Sequence, residues 1–123
     1  MSRNIEILST NQLQKNPIRT LYCDSFWGRL RGLMFRDEIA EDEGLLLVQR
    51  KDSRTDSSIH MLFVNMDLGV IWINSDLIVV DIKVAKAWRP AYFPAFPAKY
   101  TLEIHPDRIS DFKIGDKVRF NEI

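Results

Sequence analysis

Along much of this chain apolar residues recur at every second position, in short runs broken by proline, glycine, asparagine and aspartate. That period belongs to strands, whose side chains alternate between two faces of a sheet. Ile5 and Ile7 alternate with polar neighbours, and Ile18 to Cys23 is β-branched and aromatic, so two early strands are predicted with Asn16-Pro17 between them. Asp24 or Ser25 can then cap a helix predicted from Ser25 to Phe35, because Phe26, Leu30 and Leu33 repeat at helical spacing. Arg29, Gly32 and Arg36 fall on a different face of it, and a short turn over Asp37 to Glu41 is expected next.

Gly44-Leu45-Leu46-Leu47-Val48 is too short for a helix and suits a strand buried on both sides. Lys51 to Ser58 reads as a polar loop. Ile59 to Phe63 and Leu68 to Ile73 read as further strands. Asn74-Ser75-Asp76 carries turn chemistry, and Ile78, Val80, Ile82 and Val84 then alternate. Tyr100, Leu102 and Ile104 alternate again, and Val118 with Phe120 ends the pattern after a turn at Gly115-Asp116.

About eight short strands with one or two short helices predict a mainly β fold, a compact antiparallel β-sandwich or barrel-like single domain over residues 1–123. An α+β fold with the helix covering one sheet is the alternative. The expected core comprises Ile7, Leu30, Leu33, Leu46, Met61, Val70, Trp72, Val80, Ile82, Leu102 and Val118.

Composition changes this picture little. Hydrophobic residues make up 46% and charged residues 28% of the 123 residues, which supports a packed core. Basic and acidic residues number 17 each, so no net field attracts a polyanion, and nucleic acid is not an expected partner. No apolar run approaches a membrane-spanning length and residues 1–7 lack a signal-like stretch, so no membrane is expected and cytoplasmic residence is the expectation. The lone Cys23 fits a reducing compartment.

Between Trp88 and Pro97 three prolines and four aromatic rings make a segment unable to donate a regular ladder of hydrogen bonds. It predicts an ordered loop that leaves rings exposed beside a groove. Trp88, Arg89, Tyr92 and Phe93 are therefore candidate ligand- or partner-binding residues. Arg29 and Arg36 straddle Gly32 and outline an anion site, set against their pairing with Asp37, Glu41 or Glu103 to fasten the helix to the sheet.

His60 and Glu103 are the candidates for an acid and base, with His105 the other histidine and no spacing that singles out a pair among the 17 carboxylates. The ordinary role of His60 is that of a polar residue facing away from Ile59 and Met61; that of Glu103 is a cross-strand ion-pair partner. Cys23 with His60 is the one thiol dyad available, and packing as a small hydrophobe is the ordinary reading of that thiol. No metal-ligand spacing, phosphate-binding glycine loop or Gly-x-Ser-x-Gly elbow occurs, so no metal or cofactor is expected.

The blocks Arg29-Leu30-Arg31-Gly32-Leu33-Met34-Phe35-Arg36, Gly44 to Leu47, Ile59-His60-Met61-Leu62-Phe63 and Val70 to Ile73 occur in the order seen in the domain of unknown function 192 family. Val79-Val80, Trp88-Arg89-Pro90, Leu102-Glu103-Ile104 and Ile114 to Val118 extend the resemblance over about residues 20 to 120. It implies a small, β-rich, sandwich-like prokaryotic protein without an agreed activity. Where the family carries an aspartate after leucine or isoleucine this chain has Leu68-Gly69, with Asp67 just before. His105-Pro106-Asp107-Arg108 replaces a later family glycine.

The leading expectation is a non-catalytic domain binding a small molecule or a protein, a second copy in a homodimer included. A small hydrolase-like enzyme using His60 and Glu103 and a structural accessory domain are the alternatives.

Overall fold

The β-branched and leucine-rich segments pair edge to edge into one strongly curled sheet. The computed structural model describes residues 3–9 and 16–122, apart from the side chains of Arg3, Phe26 and Leu30. Its strands are β1 (Arg3–Ser9), β2 (Ile18–Cys23), β3 (Glu43–Ser53), β4 (Leu68–Ile73), β5 (Val79–Ala85), β6 (Ala98–Ile104) and β7 (Val118–Glu122). Helix α1 (Phe26–Arg31) follows β2, and a 3-10 helix (Pro106–Asp111) precedes β7. Strand residues outnumber helical ones several-fold, so the fold is mainly β.

The sheet runs β5-β4-β6-β3-β2-β1-β7. All neighbours are antiparallel except β2 and β3, which are parallel. One parallel pair thus sits in the otherwise antiparallel sheet expected from the sequence, and its cause is local. A parallel pair needs a crossover, and residues 24–42 supply one that carries α1 over the sheet.

Curling brings the two ends of the strand order together as a half-barrel. Ile78 bridges Lys117, Val79 N–H donates to the Asp116 carbonyl at 2.9 Å, and Val118 N–H donates to that of Leu77 at 2.9 Å. The inner face holds Ile7, Ile18, Leu46, Ile71, Leu102 and Val118. The outer face of β3 and β4 is apolar too. Leu45, Leu47, Val70 and Trp72 there pack with Leu33 beyond α1 and with Ile59, Met61 and Val64. Burial on both faces explains the unbroken apolar run in β3.

Several boundaries differ from expectation. Helix α1 stops at Arg31, not Phe35, because Gly32 leaves helical geometry at φ +49° and ψ −126°. Residues 37–41 form no helix; the second short helix lies at Pro106–Asp111, capped by His105 Nδ1 accepting from Asp107 N–H at 3.0 Å.

Ile59 to Phe63 is not a strand either. Only Ile59 bridges, to Tyr92, and the chain then turns at Met61 to Val64. Val80 and Ile82 are half-buried because a register shift opposite Trp72 and Ile73 breaks the alternation of β5. The other expected core residues are buried, except that the side chain of Leu30 lies outside the described residues.

Candidate functional site

Alternation along β6 sends Leu102 and Ile104 inward and Glu103 outward. On that outer face its register neighbours are Leu45 of β3 and Val70 of β4, both buried and apolar. Glu103 is itself only 3% exposed, and burial pushes its carboxyl from near 4.5 up to about 7. Its Oε1 has no hydrogen-bond partner among the described residues. The cross-strand ion pair expected for Glu103 is not formed, since the strands beside it offer leucine and valine. An unpaired buried acceptor costs about 1–3 kcal/mol, and among the described residues Gln49 Oε1 shares that condition with Glu103, which alone of the two is ionisable and lines a cavity.

Glu103 lines a cavity of about 430 Å³ between the sheet and the segments that cover it. Arg29, Arg31 and Gly32 form one wall, Thr55, Asp56, Ser58 and His60 another, and Pro90 and Ala91 a third. Ser25 caps α1 by accepting from Gly28 N–H at 3.0 Å. Arg29 Nη1 then donates to the Asp24 carbonyl at 2.6 Å and the Val48 carbonyl at 3.2 Å, which fastens the helix over β3. Opposite, the buried carbonyl of Ser57 accepts from Trp72 Nε1 at 2.7 Å and from Thr101 Oγ1 at 2.9 Å. That pair of bonds holds the loop carrying Thr55, Asp56 and Ser58.

Arg29, His60 and Glu103 therefore share one concave site, as the residue types alone could only suggest. Arg36 does not join them. It lies beside a second cavity, where Nη2 pairs with Glu43 at 3.2 Å instead of with Asp37, Glu41 or Glu103. Cys23 lines that second cavity too, and burial followed by the Asp24 carboxylate pushes its thiol up, away from nucleophile chemistry. Among the described residues no group of three or more His, Cys, Asp or Glu side chains is placed to hold a metal.

The aromatic loop docks by its backbone. Met61 N–H donates to the Arg89 carbonyl at 2.8 Å, Trp88 N–H to that of Met61 at 2.9 Å, and Ile59 and Tyr92 exchange two such bonds. Asp67 fixes the loop's entry, accepting from Ala87 N–H at 2.9 Å and pairing with Lys86 at 3.2 Å. Tyr92 is half-buried against the outer core, and its hydroxyl accepts from Lys86 N–H at 2.9 Å. Trp88, Arg89, Phe93 and Phe96 are exposed.

Trp88 packs edge-on against Phe63 at 5.0 Å, and Phe63 against Phe35 at 5.4 Å between centroids. All three rings belong to residues with positive φ, at 68°, 62° and 67° respectively. Bulky side chains rarely adopt that backbone, which costs about 1–2 kcal/mol each. Phe35, Phe63, Trp27, Met34 and Leu62 line an open apolar groove that shares Arg31 and His60 with the Glu103 cavity. Sequence reasoning passed over Trp27, Phe35, Phe63, Thr55 and Asp56 as site residues. Nothing in their spacing separates them from a helix stripe, a strand or a solvated loop.

The family model for DUF192, described as an uncharacterized ACR, matches residues 7–120. The chain belongs to the DUF192 family. A UPF0127 protein of Pyrococcus furiosus is 36% identical over 120 residues, which cover 95% of this chain and 99% of that one. Another, of Thermococcus kodakarensis, is 41% identical over 81 residues, or 66% of this chain; the matched region spans half the length of that relative. A UPF0127 protein of Thermococcus gammatolerans is 36% identical over 101 residues, 80% of this chain and 64% of its own.

Two crystal structures share the DUF192 fold seen here. One, a protein of unknown function from Novosphingobium aromaticivorans, has a TM-score of 0.81 at 22% identity, covering 94% of this chain and 83% of its own. The other, described as a putative transcription regulator from Sinorhizobium meliloti, has a TM-score of 0.83 at 17% identity, with coverage of 98% and 94%. No helix among the described residues of this DUF192 chain is long and apolar enough to cross a membrane.

Proposed function

We propose that this chain is a non-catalytic binding domain whose ligand is a small polar molecule held over Glu103. One observation carries the reading: a carboxyl oxygen without a partner, buried in the sheet yet forming part of a cavity wall. Protein interiors satisfy such groups, and a ligand N–H or O–H would do so here. The guanidinium groups of Arg29 and Arg31 add positive charge at the rim. Zero net charge weighs against nucleic acid as the ligand. The lone thiol of Cys23 suits a cytoplasmic setting.

A thermal-shift screen of polar metabolites on the purified protein tests the reading. Binders should raise the melting temperature of the native chain and leave Glu103→Leu unmoved. The leucine variant should itself be more stable, since it removes an unpaired buried acceptor and keeps the volume filled. Equal shifts in both proteins would overturn the assignment to Glu103.

A catalytic reading rests on His60 and Glu103 lining one cavity, with Glu103 titrating at about 7, near the pH at which a general acid or base works well. Turnover of a panel of ester and phosphoester substrates, abolished by Glu103→Gln, would favour it over simple binding.

A further inference from the structure

The Glu103 cavity and the apolar groove are neighbours with two residues in common. Arg31 and His60 line both. The groove has a volume of about 560 Å³, and its other lining residues are Trp27, Met34, Phe35, Leu62 and Phe63. Arg31 is exposed, and among the described residues its guanidinium has no hydrogen-bond or ion-pair partner in the protein, so a solvent-facing cation stands where polar cavity and apolar groove meet. The next residue, Gly32, lies against Glu103.

Resting on the reading that Glu103 binds the ligand, we infer that the ligand is a small amphipathic carboxylate that spans both spaces. Its carboxylate meets Arg31, a hydroxyl or amino group beside that carboxylate donates to Glu103 Oε1, and its apolar tail lies along Phe35 and Phe63. An α-hydroxy or α-amino acid with an aromatic side chain has this order of groups. A planar guanidinium suits a carboxylate, whereas the unpartnered Oε1 calls for a donor and rejects a second anion.

The groove is also built in advance. Phe35 N–H donates to the Phe63 carbonyl at 2.6 Å, which locks both residues in left-handed backbone, and the two rings pack together. Strained positions of this kind cluster at ligand clamps. A rigid apolar wall beside a polar head site lowers the ordering cost of binding a tail.

Calorimetric titration of the full chain with L-3-phenyllactate, L-phenylalanine, 3-phenylpropionate and L-lactate separates the parts. Phenyllactate or phenylalanine should bind at least tenfold more tightly than phenylpropionate, which lacks the donor, and than lactate, which lacks the tail. Phe63→Asn, which tolerates left-handed backbone, should bring phenyllactate close to lactate; Arg31→Gln should weaken every carboxylate tenfold or more. Circular dichroism of each variant confirms that it is folded.

Lactate binding as tightly as phenyllactate would remove the groove from the site and leave the Glu103 reading standing. Phenyllactate binding that survives Glu103→Leu would overturn that reading and the spanning ligand with it. No binding by either aromatic acid would overturn the proposed ligand class.

Discussion

Gly32 lies over Glu103: a Cβ built on the glycine would stand 3.6 Å from the carboxyl's Oε1. The glycine also carries φ +49° and ψ −126°, a backbone that L side chains avoid. Gly32→Ala should therefore destabilise the fold by about 1–3 kcal/mol. The added methyl would shield the acceptor as well, so any ligand of Glu103 should bind more weakly. Chemical denaturation and titration of the same variant check both effects, and an unchanged denaturation midpoint would mean that the local backbone relaxes at no cost.

Glu103 should also set how stability depends on pH. Its carboxyl titrates near 4.5 when free and at about 7 when folded, because burial disfavours the charge. Between those values the folded state keeps a proton that the unfolded chain releases, so rising pH favours unfolding. The contribution is complete below pH 4.5, declines as pH rises to about 7 and is lost above it, a fall of about 3 kcal/mol. Asp67, held down by Ala87 N–H and Lys86, acts in the opposite sense and only at lower pH. Glu103→Gln should flatten the stability profile between pH 5 and pH 7, read by urea denaturation across that range. A slope that persists in the variant would assign the effect to other groups.

The alternation along the chain made most strands legible. Ile5 with Ile7, Leu102 with Ile104 and the run Leu45 to Val48 lie where period and β-branching place them. Ile59 to Phe63 failed because its burial comes from packing against the outer sheet face, and a buried loop with apolar residues two apart looks like a strand. The parallel pairing of β2 and β3 could not be read from either strand, since it depends on where the crossover lands. In the site, His60, Arg29 and Glu103 were legible as residue types. The complete burial of Glu103 was not, because it depends on the residues across from it, Leu45 and Val70, which come from distant parts of the chain.

Arg36 provides a control. Its pair with Glu43 has both side chains more than 40% exposed, so Coulombic gain is screened and about 0–1 kcal/mol is at stake. Arg36→Ala should leave both stability and binding at the Glu103 cavity almost unchanged, whereas Arg29→Ala should weaken both. Arg29 holds two backbone carbonyls and forms part of the cavity wall. Equal effects of the two substitutions, measured by thermal shift with and without ligand, would return Arg36 to the site.

The carbonyl of Ser57 tests how the sheet positions the cavity's polar loop. Trp72 and Thr101 are register neighbours on β4 and β6, both fully buried, and each donates to that one oxygen. Thr101→Val keeps the shape and removes one donor, so it should cost about 1 kcal/mol while the indole still satisfies the carbonyl. Trp72→Phe removes the other and leaves a gap beside it, so it costs more by itself through lost packing. Together they leave a buried acceptor with neither donor, and the double variant should exceed the sum of the singles by about 1–2 kcal/mol. Hydrogen exchange should then rise selectively over residues 54–58, and ligand binding should fall because Thr55, Asp56 and Ser58 lose their fixed position. Additive costs with unchanged exchange in that loop would show that the two bonds do not hold it, and that packing of Ile59 and Met61 against the sheet suffices.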